Sequence, residues 1–427
     1  MTRIVVLGGC GGIGSVAAAT LAVSDDVDEL VLADVRADVV AAAAAGYRRP
    51  GVTGVAVDAT DSASVAAVLE GADLVVNCIG PFYRFGAPLL AAAISAGVTY
   101  VDVCDDLDAT RAQLELDGMA KAAGVCALIG MGNSPGFANV LVRYAVDHLL
   151  DAVESVDIMH IHGGEPTEGP AVIKHRIHAM TNDVPLFIDG EFRTVRMLEP
   201  DGQAFVVDTD FRDVGTYPVY PYPHPETITL PRYLPGLRRA TNLGVVFPLS
   251  YFDMTMDMVR LGAAGTEPVT VDGAEVVPLE FTVSHILAQR QRLLDEAGIT
   301  GAAGCLKIVV SGTRNDAPGN HTVVFSLSSG TMGAGEGTGI PAGLGALMLL
   351  AGHGRTPGVH PPEAIVDPLV MLGLANDVLP LLALGATDGD PDGGRDGAAS
   401  AGMVEVPIHI AHHLPDGTVD ELSLGLG

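Results

Sequence analysis

The sequence predicts an α/β fold, a doubly wound parallel sheet followed by an α+β domain with a mainly antiparallel sheet. Three observations predict it. Short apolar runs alternate with helical segments through the first 150 residues, a glycine cluster closes the first run, and the apolar period shifts towards two from about residue 151. With 427 residues, 48% of them hydrophobic, the chain can bury two or three cores.

Arg3–Leu7 reads as the first strand and ends in Gly8-Gly9-Cys10-Gly11-Gly12-Ile13-Gly14, before an alanine-rich helix over Ser15–Ala22. Further strands are expected at Glu29–Ala33, Gly54–Val57, Asp73–Cys78, Thr99–Val103 and Val125–Ile129, with helices near 37–46, 62–70, 86–96 and 107–123 between them. Strands covered on both faces have such continuous apolar runs, and right-handed crossovers then make the sheet parallel.

Beyond residue 151, strands are expected near 154–162, 186–198, 203–208, 253–260, 276–285, 305–311 and 321–328, with few long helices. Tyr217–Glu226 reads as a loop, because its repeated prolines argue against helix and central strand. Lys174, His175 and Arg176 open a helix pointing at the pocket. Ser329–Gly345 is glycine-rich but lacks GK[ST], so it is no phosphate loop of that kind; Thr338 and Pro341 mark a helix start for Ala342–Ala351. Helices over Pro362–Leu384, a flexible linker at 386–402 and a strand at Met403–His412 complete the chain. The expected domains are 1–135, binding dinucleotide, and 136–340, binding substrate and pairing subunits. Helices over 341–385 pack back on the first domain, and 403–427 form the strand and tail.

The glycine cluster carries the first chemistry. Gly9-x-Gly11-x-x-Gly14 between a strand and a helix fits a dinucleotide fingerprint of the Rossmann type, in which Gly12 and Ile13 also offer backbone N–H groups to a pyrophosphate. Asp34 ends the second strand, placed to accept from an adenosine ribose hydroxyl. It would repel a 2′-phosphate, whereas Arg36 could reach one, and the balance favours NAD over NADP. Asp58 joins the cofactor set, as do Cys78, Ile79, Gly80, Pro81 and Phe82, in the turn expected over the ribose and nicotinamide.

Substrate residues are sought at the carboxyl ends of the strands. Tyr100 and Asp102 share one strand face. Asp105 and Asp106 could bind a substrate ammonium, or cap the helix that follows. Gly132-Asn133-Ser134-Pro135-Gly136 matches G-x-S-x-G, yet a nucleophile elbow needs the N–H after the serine, and Pro135 has none. Ser134 therefore reads as a helix N-cap with Pro135 at the first helical position, and Asn133 and Ser134 remain substrate-binding candidates with Lys174 and His175. Arg232, Arg238 or Arg239 could pair with a substrate carboxylate or form surface salt bridges. His160-x-His162 and His175 with His178 lack a convincing third ligand, so no metal is expected.

A formal net charge of −29, from 23 basic and 52 acidic residues, argues against nucleic acid or an anionic membrane as partner. The five scattered cysteines suit free thiols in a reducing compartment. No signal peptide or membrane span is expected, and a cytoplasmic location is.

These segments resemble the saccharopine dehydrogenase-like family. The resemblance rests on the Gly8–Gly14 turn, Val75–Phe82 with Gly86, Ala96–Asp102, Gly132–Asn139, Tyr217–Leu234, Gly337-Thr338-Gly339 and Gly358–Glu363, and spans about residues 1–385. It implies a nicotinamide-dependent oxidoreductase, a homodimer, acting on an amino-acid or amine substrate. Family members such as saccharopine reductase, lysine 6-dehydrogenase and carboxynorspermidine dehydrogenase work at a carbon–nitrogen bond through an imine. Val103-Cys104-Asp105-Asp106 departs from the saccharopine reductase pattern and favours a substrate with a cationic amine. Tyr100 or Asp102 is then expected to handle the amine proton. The alternatives are a reductase of a C=C or C=O bond and a nucleotide-binding regulator without turnover.

Overall fold

A computed structural model describes residues 1–165, 168–329, 334–387 and 408–423. Strands β1 (Arg3–Leu7), β2 (Glu29–Asp34), β3 (Val52–Ala56), β4 (Leu74–Asn77), β5 (Thr99–Asp102) and β6 (Cys126–Leu128) alternate with helices. The helices are α1 (Gly12–Ala22), α2 (Ala37–Ala45), α3 (Ser62–Leu69), α4 (Phe82–Ala96), α5 (Leu107–Leu114) and α6 (Asp117–Ala123). The single helix expected over 107–123 is thus two, broken at Glu115–Leu116.

Next, α7 (Phe137–Tyr144) runs into a π-helical turn, Ala145–Leu149. Then come β7 (Ala152–Gly163), α8 (Pro170–Thr181), β8 (Asp183–Ile188), β9 (Glu191–Arg196), α9 (Pro200–Gln203), β10 (Val207–Phe211) and β11 (Gly215–Pro221). They are followed by α10 (Glu226–Tyr233), β12 (Arg239–Phe247), α11 (Leu249–Arg260), β13 (Val269–Val271), β14 (Ala274–Val276), α12 (Pro278–Glu296), β15 (Ala303–Thr313) and β16 (Asn320–Ser329). The remaining elements are α13 (Ala334–Leu350), β17 (Gly358–His360), α14 (Pro362–Ile365), α15 (Pro368–Thr387), β18 (Ile408–His413) and β19 (Val419–Leu422).

The first sheet is parallel throughout, in the order β17-β6-β5-β4-β1-β2-β3. Its inner strands are buried on both faces, which is why they read as unbroken apolar runs. The seventh strand, β17, comes from far along the chain and was not expected.

The second sheet runs β10-β11-β12-β7-β15-β16-β18-β19, with β8 on β12 and β9 on β8. Its pairs are antiparallel except β12 on β7. Several expectations fail here. Residues 253–260 and 278–285 lie in helices, because Tyr251, Phe252, Thr255 and Met256 in α11, and Thr282, Val283, Ile286 and Arg290 in α12, recur at helical spacing on the buried side; of the second run expected as strand, only Val276 is one, at the end of β14. The run 186–198 is split into the β8–β9 hairpin, and the strand expected at 203–208 falls at 207–211.

The Pro/Tyr segment is a loop only at 222–225; Tyr217–Pro221 belong to strand β11 and Glu226 opens helix α10. Pro218 is tolerated because β11 pairs with β10 along Gly215–Val219 and meets β12 only at Tyr220 and Pro221. Strand β12, buried from Ala240 to Phe247, was not expected.

Buried α7 joins the two sheets: all its residues but Arg143 are buried, and one core runs from Ile4 and Leu128 through Ala138 and Leu141 to Ile308 and Phe325. The helix expected from Ala342 starts instead at Ala334, because its glycines are packing residues. A Cβ at Gly335, Gly339 or Gly343, four residues apart, would lie 2.9 Å or less from Gly12 O, Ile13 O and Thr20 of α1. The stripe lets α13 lie flat along α1 and roof the glycine turn. Of the expected linker, residues 386–387 continue α15, and the rest falls outside the described residues, as do 403–407 of the expected final strand. Among the described residues, no helix is long and apolar enough to cross a membrane.

Candidate active site

The β1–α1 turn has the shape a dinucleotide needs. Gly11 is the helix N-cap and brings no side-chain cap, and the first N–H groups of α1 have no partner within the helix. A Cβ on Gly14 would sit 2.1 Å from Gly8 O, so only glycine lets the helix approach the strand; a Cβ on Gly12 would meet nothing within 4 Å, which leaves the turn open at its outer side. Asp34 closes β2, with Arg36 Nε 3.9 Å from its Oδ1. Asp58 lies exposed after β3, its carboxylate held low by hydrogen bonds from the Thr60 hydroxyl and N–H. A pyrophosphate on the α1 N-terminus and a ribose at Asp34 fit these residues.

Next to the turn opens a cavity of about 1150 Å³. Ile13, Cys78, Gly80, Pro81 and Phe82 line it from the first sheet; Ile161, Val245, Val246, Leu306 and Leu327 line it from the second. Thr338, Ile340 and Leu344 of α13, Leu372 and Leu379 of α15, and Ile408 and Leu422 of the last hairpin complete an apolar enclosure. Ile79 does not line it; its N–H is tied to Asn77 Oδ1 at 3.0 Å.

Two polar clusters break the apolar lining. In the first, His175 of α8 stands between Asp105 and Asp106, with Nε2 3.5 Å from Asp105 and Nδ1 3.2 Å from Asp106. Burial works against the imidazolium, but the two carboxylates outweigh it and raise His175 to about 9. Asp106 also accepts from Tyr83 N–H at 3.0 Å, and this bond and His175 hold its pKa low against burial. Although at the N-cap position of α5, Asp106 makes no cap, so the capping alternative is excluded for it. Burial raises Asp105, which His175 opposes. The three offer ligand atoms within 4.8 Å of one another, a cluster not expected from the sequence, and their internal ion pairing accounts for it. His175 and Asp106 also line a smaller polar cleft of about 310 Å³ with His178 and Arg111.

Arg176, the next residue, lines the cavity while 3% exposed. Its Nη2 donates to Glu168, its guanidinium lies 5.2 Å from the Tyr251 ring centre, and its Nη1 has no partner among the described residues.

The second cluster surrounds Ser134. The Gly132–Gly136 loop closes on itself through Gly132 N to Pro135 O and Phe137 N to Gly132 O, and α7 starts only at Phe137 with Gly136 as N-cap. Ser134 is therefore not the cap it was expected to be. Its hydroxyl lines the cavity and donates to the buried Glu226, while Asn242 Nδ2 donates to it at 3.3 Å. His160 and His224 also face the cavity and stack at 5.2 Å. Burial, with His162 nearby, pushes His160 down to about 3, and burial holds His224 well below its usual value.

The structure thus gathers Asp105, Asp106, Asn133, Ser134 and His175 at one cavity and leaves Tyr100, Asp102, Lys174, Arg232, Arg238 and Arg239 outside it. Tyr100 and Asp102 are both wholly inaccessible. Asp102 accepts from Tyr100 OH at 2.9 Å, Gly130 N at 2.8 Å, Cys104 N at 3.1 Å and Gln113, while Asn77 Nδ2 donates to Tyr100 at 3.0 Å. That buried network fixes the ends of β4, β5 and β6 beneath the site; neither side chain lines the cavity. Lys174 pairs with Glu280 at 2.6 Å on the far side of α8, and Arg232 lies exposed on α10. Sequence reasoning missed Glu226, His224, Asn242 and the roles of Arg176 and His160. Their signal, a carboxylate and histidine in a Pro/Tyr segment, was masked by the loop reading.

Residues 4–128 match the family described as the saccharopine dehydrogenase NADP binding domain. The chain is 27% identical over 386 residues to the carboxyaminopropylagmatine dehydrogenase of Synechocystis sp., covering 86% of this chain and 94% of that protein. To the carboxynorspermidine synthase of Vibrio cholerae it is 25% identical over 341 residues, covering 72% and 78%. The apo saccharopine dehydrogenase (L-Glu forming) of Saccharomyces cerevisiae shares the fold, with a TM-score of 0.64 at 16% identity over 88% of this chain and 98% of that one. With the glycine turn, the apolar cavity beside it and these likenesses together, the chain is a saccharopine dehydrogenase-like, nicotinamide-dinucleotide-binding oxidoreductase.

Proposed function

We propose that the protein is a dehydrogenase acting at the carbon–nitrogen bond of a substrate that carries both a cationic amine and a carboxylate, of the carboxyalkyl-polyamine kind. One observation carries this: the Asp105–His175–Asp106 cluster and Arg176, whose buried Nη1 has no partner among the described residues, line the same cavity. Two carboxylates around one imidazolium leave a net negative charge for an ammonium, and a buried guanidinium with a free N–H suits a carboxylate. The names of the Synechocystis and Vibrio relatives, with both carboxyl and amine parts, agree.

When bound, a nicotinamide supplies the hydride acceptor or donor. The chain supplies the rest. Gly12 and Ile13 offer N–H groups to the phosphates and Asp34 receives the ribose. Ile340, Leu344 and Leu372 exclude water, which protects the imine from premature hydrolysis. Asp105 takes the ammonium proton, so that the nitrogen lone pair can assist hydride loss, and His175 holds Asp105 in place and opens to the polar cleft, a route to solvent.

Asp34 favours NAD. Calorimetric titration with NADH and NADPH tests this: tighter binding of NADH is expected, while tighter NADPH would make Arg36 the partner of a 2′-phosphate. An amine screen read as absorbance of reduced cofactor then tests the chemistry, and reduction of simple ketones or enones with indifference to amines would sink it.

A further inference from the structure

A carbon–nitrogen bond formed from a carbonyl and an amine passes through a carbinolamine, whose oxygen needs a proton before it leaves as water. Asp105 serves the nitrogen. On the neighbouring loop along the sheet edge, Ser134 turns its hydroxyl from the cavity surface to Glu226, a carboxyl 1% exposed. Glu226 Oε1 accepts from Ser134 and, at 3.3 Å, from Asn242 Nδ2. Asn242 Oδ1 faces His160 Nε2 at 3.1 Å, so that amide orientation places the His160 proton on Nε2.

The other oxygen, Oε2, lies 3.8 Å from His224 Nδ1. Neither atom has a hydrogen-bond partner among the described residues. A buried carboxyl oxygen facing a buried ring nitrogen is costly unless one of the two carries a proton, on Oε2 of the carboxyl or on Nδ1 of the neutral ring. Among the described residues, the titratable groups that act on Glu226 are His224, Glu363 on α14 and Asp105 after β5; none is a cation at neutral pH, since His224 is held neutral. Burial, with Glu363 and Asp105 adding, raises Glu226 to about 7 although the Ser134 bond opposes it.

We propose that Glu226 is a buried proton store and that Ser134 relays its proton to and from the oxygen lost or gained at the reacting carbon, an inference that rests on the carbon–nitrogen reading above. In the direction of amine formation, the carbinolamine C–O bond breaks as the nitrogen lone pair forms the C=N bond. The departing oxygen takes the Ser134 hydroxyl proton and leaves as water, Ser134 takes the Glu226 proton once the carboxyl has turned it from Oε2 towards the serine, and Glu226 becomes a carboxylate. Imine hydration runs the same path backwards, with a water proton passing through Ser134 to Glu226. Ser134 is then a catalytic residue, and His224 and Asn242 position Glu226.

Two readouts on the full-length protein test this. Without substrate or nucleotide, infrared difference spectra of wild type against Glu226→Gln should show a protonated-carboxyl band that titrates away near pH 7. In the amine-oxidising direction, hydride loss precedes hydration of the imine. Ser134→Ala should keep the burst of reduced cofactor while steady-state turnover falls about 100-fold, and Ser134→Thr should restore it. A merely structural serine would slow both phases. If the band is missing, or burst and turnover fall together, the relay is overturned. If wild type itself gives no burst with any amine, the carbon–nitrogen reading falls, and the relay's role with it.

Discussion

Two clusters in one cavity use the same residue types in opposite states. Around His175 two carboxylates lie within 3.5 Å and hold the imidazole charged up to about 9. Around His160 and His224 the rings face each other and a single buried carboxyl; burial keeps His160 neutral down to about 3 and lifts Glu226 to about 7. Partner count decides the difference. Two anions can outweigh the loss of water around a cation, whereas one carboxyl between neutral rings is more stable holding its proton. One cluster attracts a cation; the other stores a proton without adding charge.

The largest effect should come from the charged cluster. Asp105→Asn removes the group assigned to the amine proton and should lower kcat by about 10²–10⁴. A variant within tenfold of wild type would break the contrast, because the charged cluster would then serve binding alone.

Stability against pH should sharpen it, with opposite signs. The folded pKa of His175, about 9, lies above its ordinary 6.5, so its stabilisation is complete below pH 6.5 and is lost as pH rises through 9. His175→Gln should therefore lower Tm most at pH 6, with the gap closing towards pH 9. Glu226 also rises, from 4.5 to about 7, but for a carboxyl this means that ionisation opposes the fold increasingly from pH 4.5 to 7. Glu226→Gln, whose amide N–H can reach His224 Nδ1, should raise stability by on the order of 2 kcal/mol above pH 7, and by less as pH falls to 4.5. Parallel curves for the two variants in thermal melts would refute the opposed protonation states.

The smallest effect belongs beneath both clusters. Tyr100→Phe removes one hydroxyl from the Asn77–Tyr100–Asp102 network and should cost about 1–3 kcal/mol in denaturant unfolding. Its kcat should stay within threefold. A hundredfold loss would return Tyr100 to the chemistry.

Legibility followed physical cause. The first sheet could be read because its strands are buried on both faces, and the glycine turn because Gly14 has no room for a Cβ. In the second domain, Pro218 hid a strand that pairs with one neighbour along most of its length, and Gly244 and Asn242 hid the central strand β12. The helical spacing of Val283, Ile286, Arg290 and Leu293 was present in α12, but the segment was read at period two.

By itself, then, the sequence determined the parallel sheet, the dinucleotide turn and the acids after β5, since each rests on residues close along the chain. Only the tertiary structure decided which of them meet. His175, Glu226 and Asn242 come from elements scattered across the second domain, and Ser134 points at Glu226 because α7 starts two residues beyond Pro135. Charge state was decided there too: a histidine's protonation depends on how many carboxylates surround it and how much water it has lost, and neither is fixed until the chain has folded.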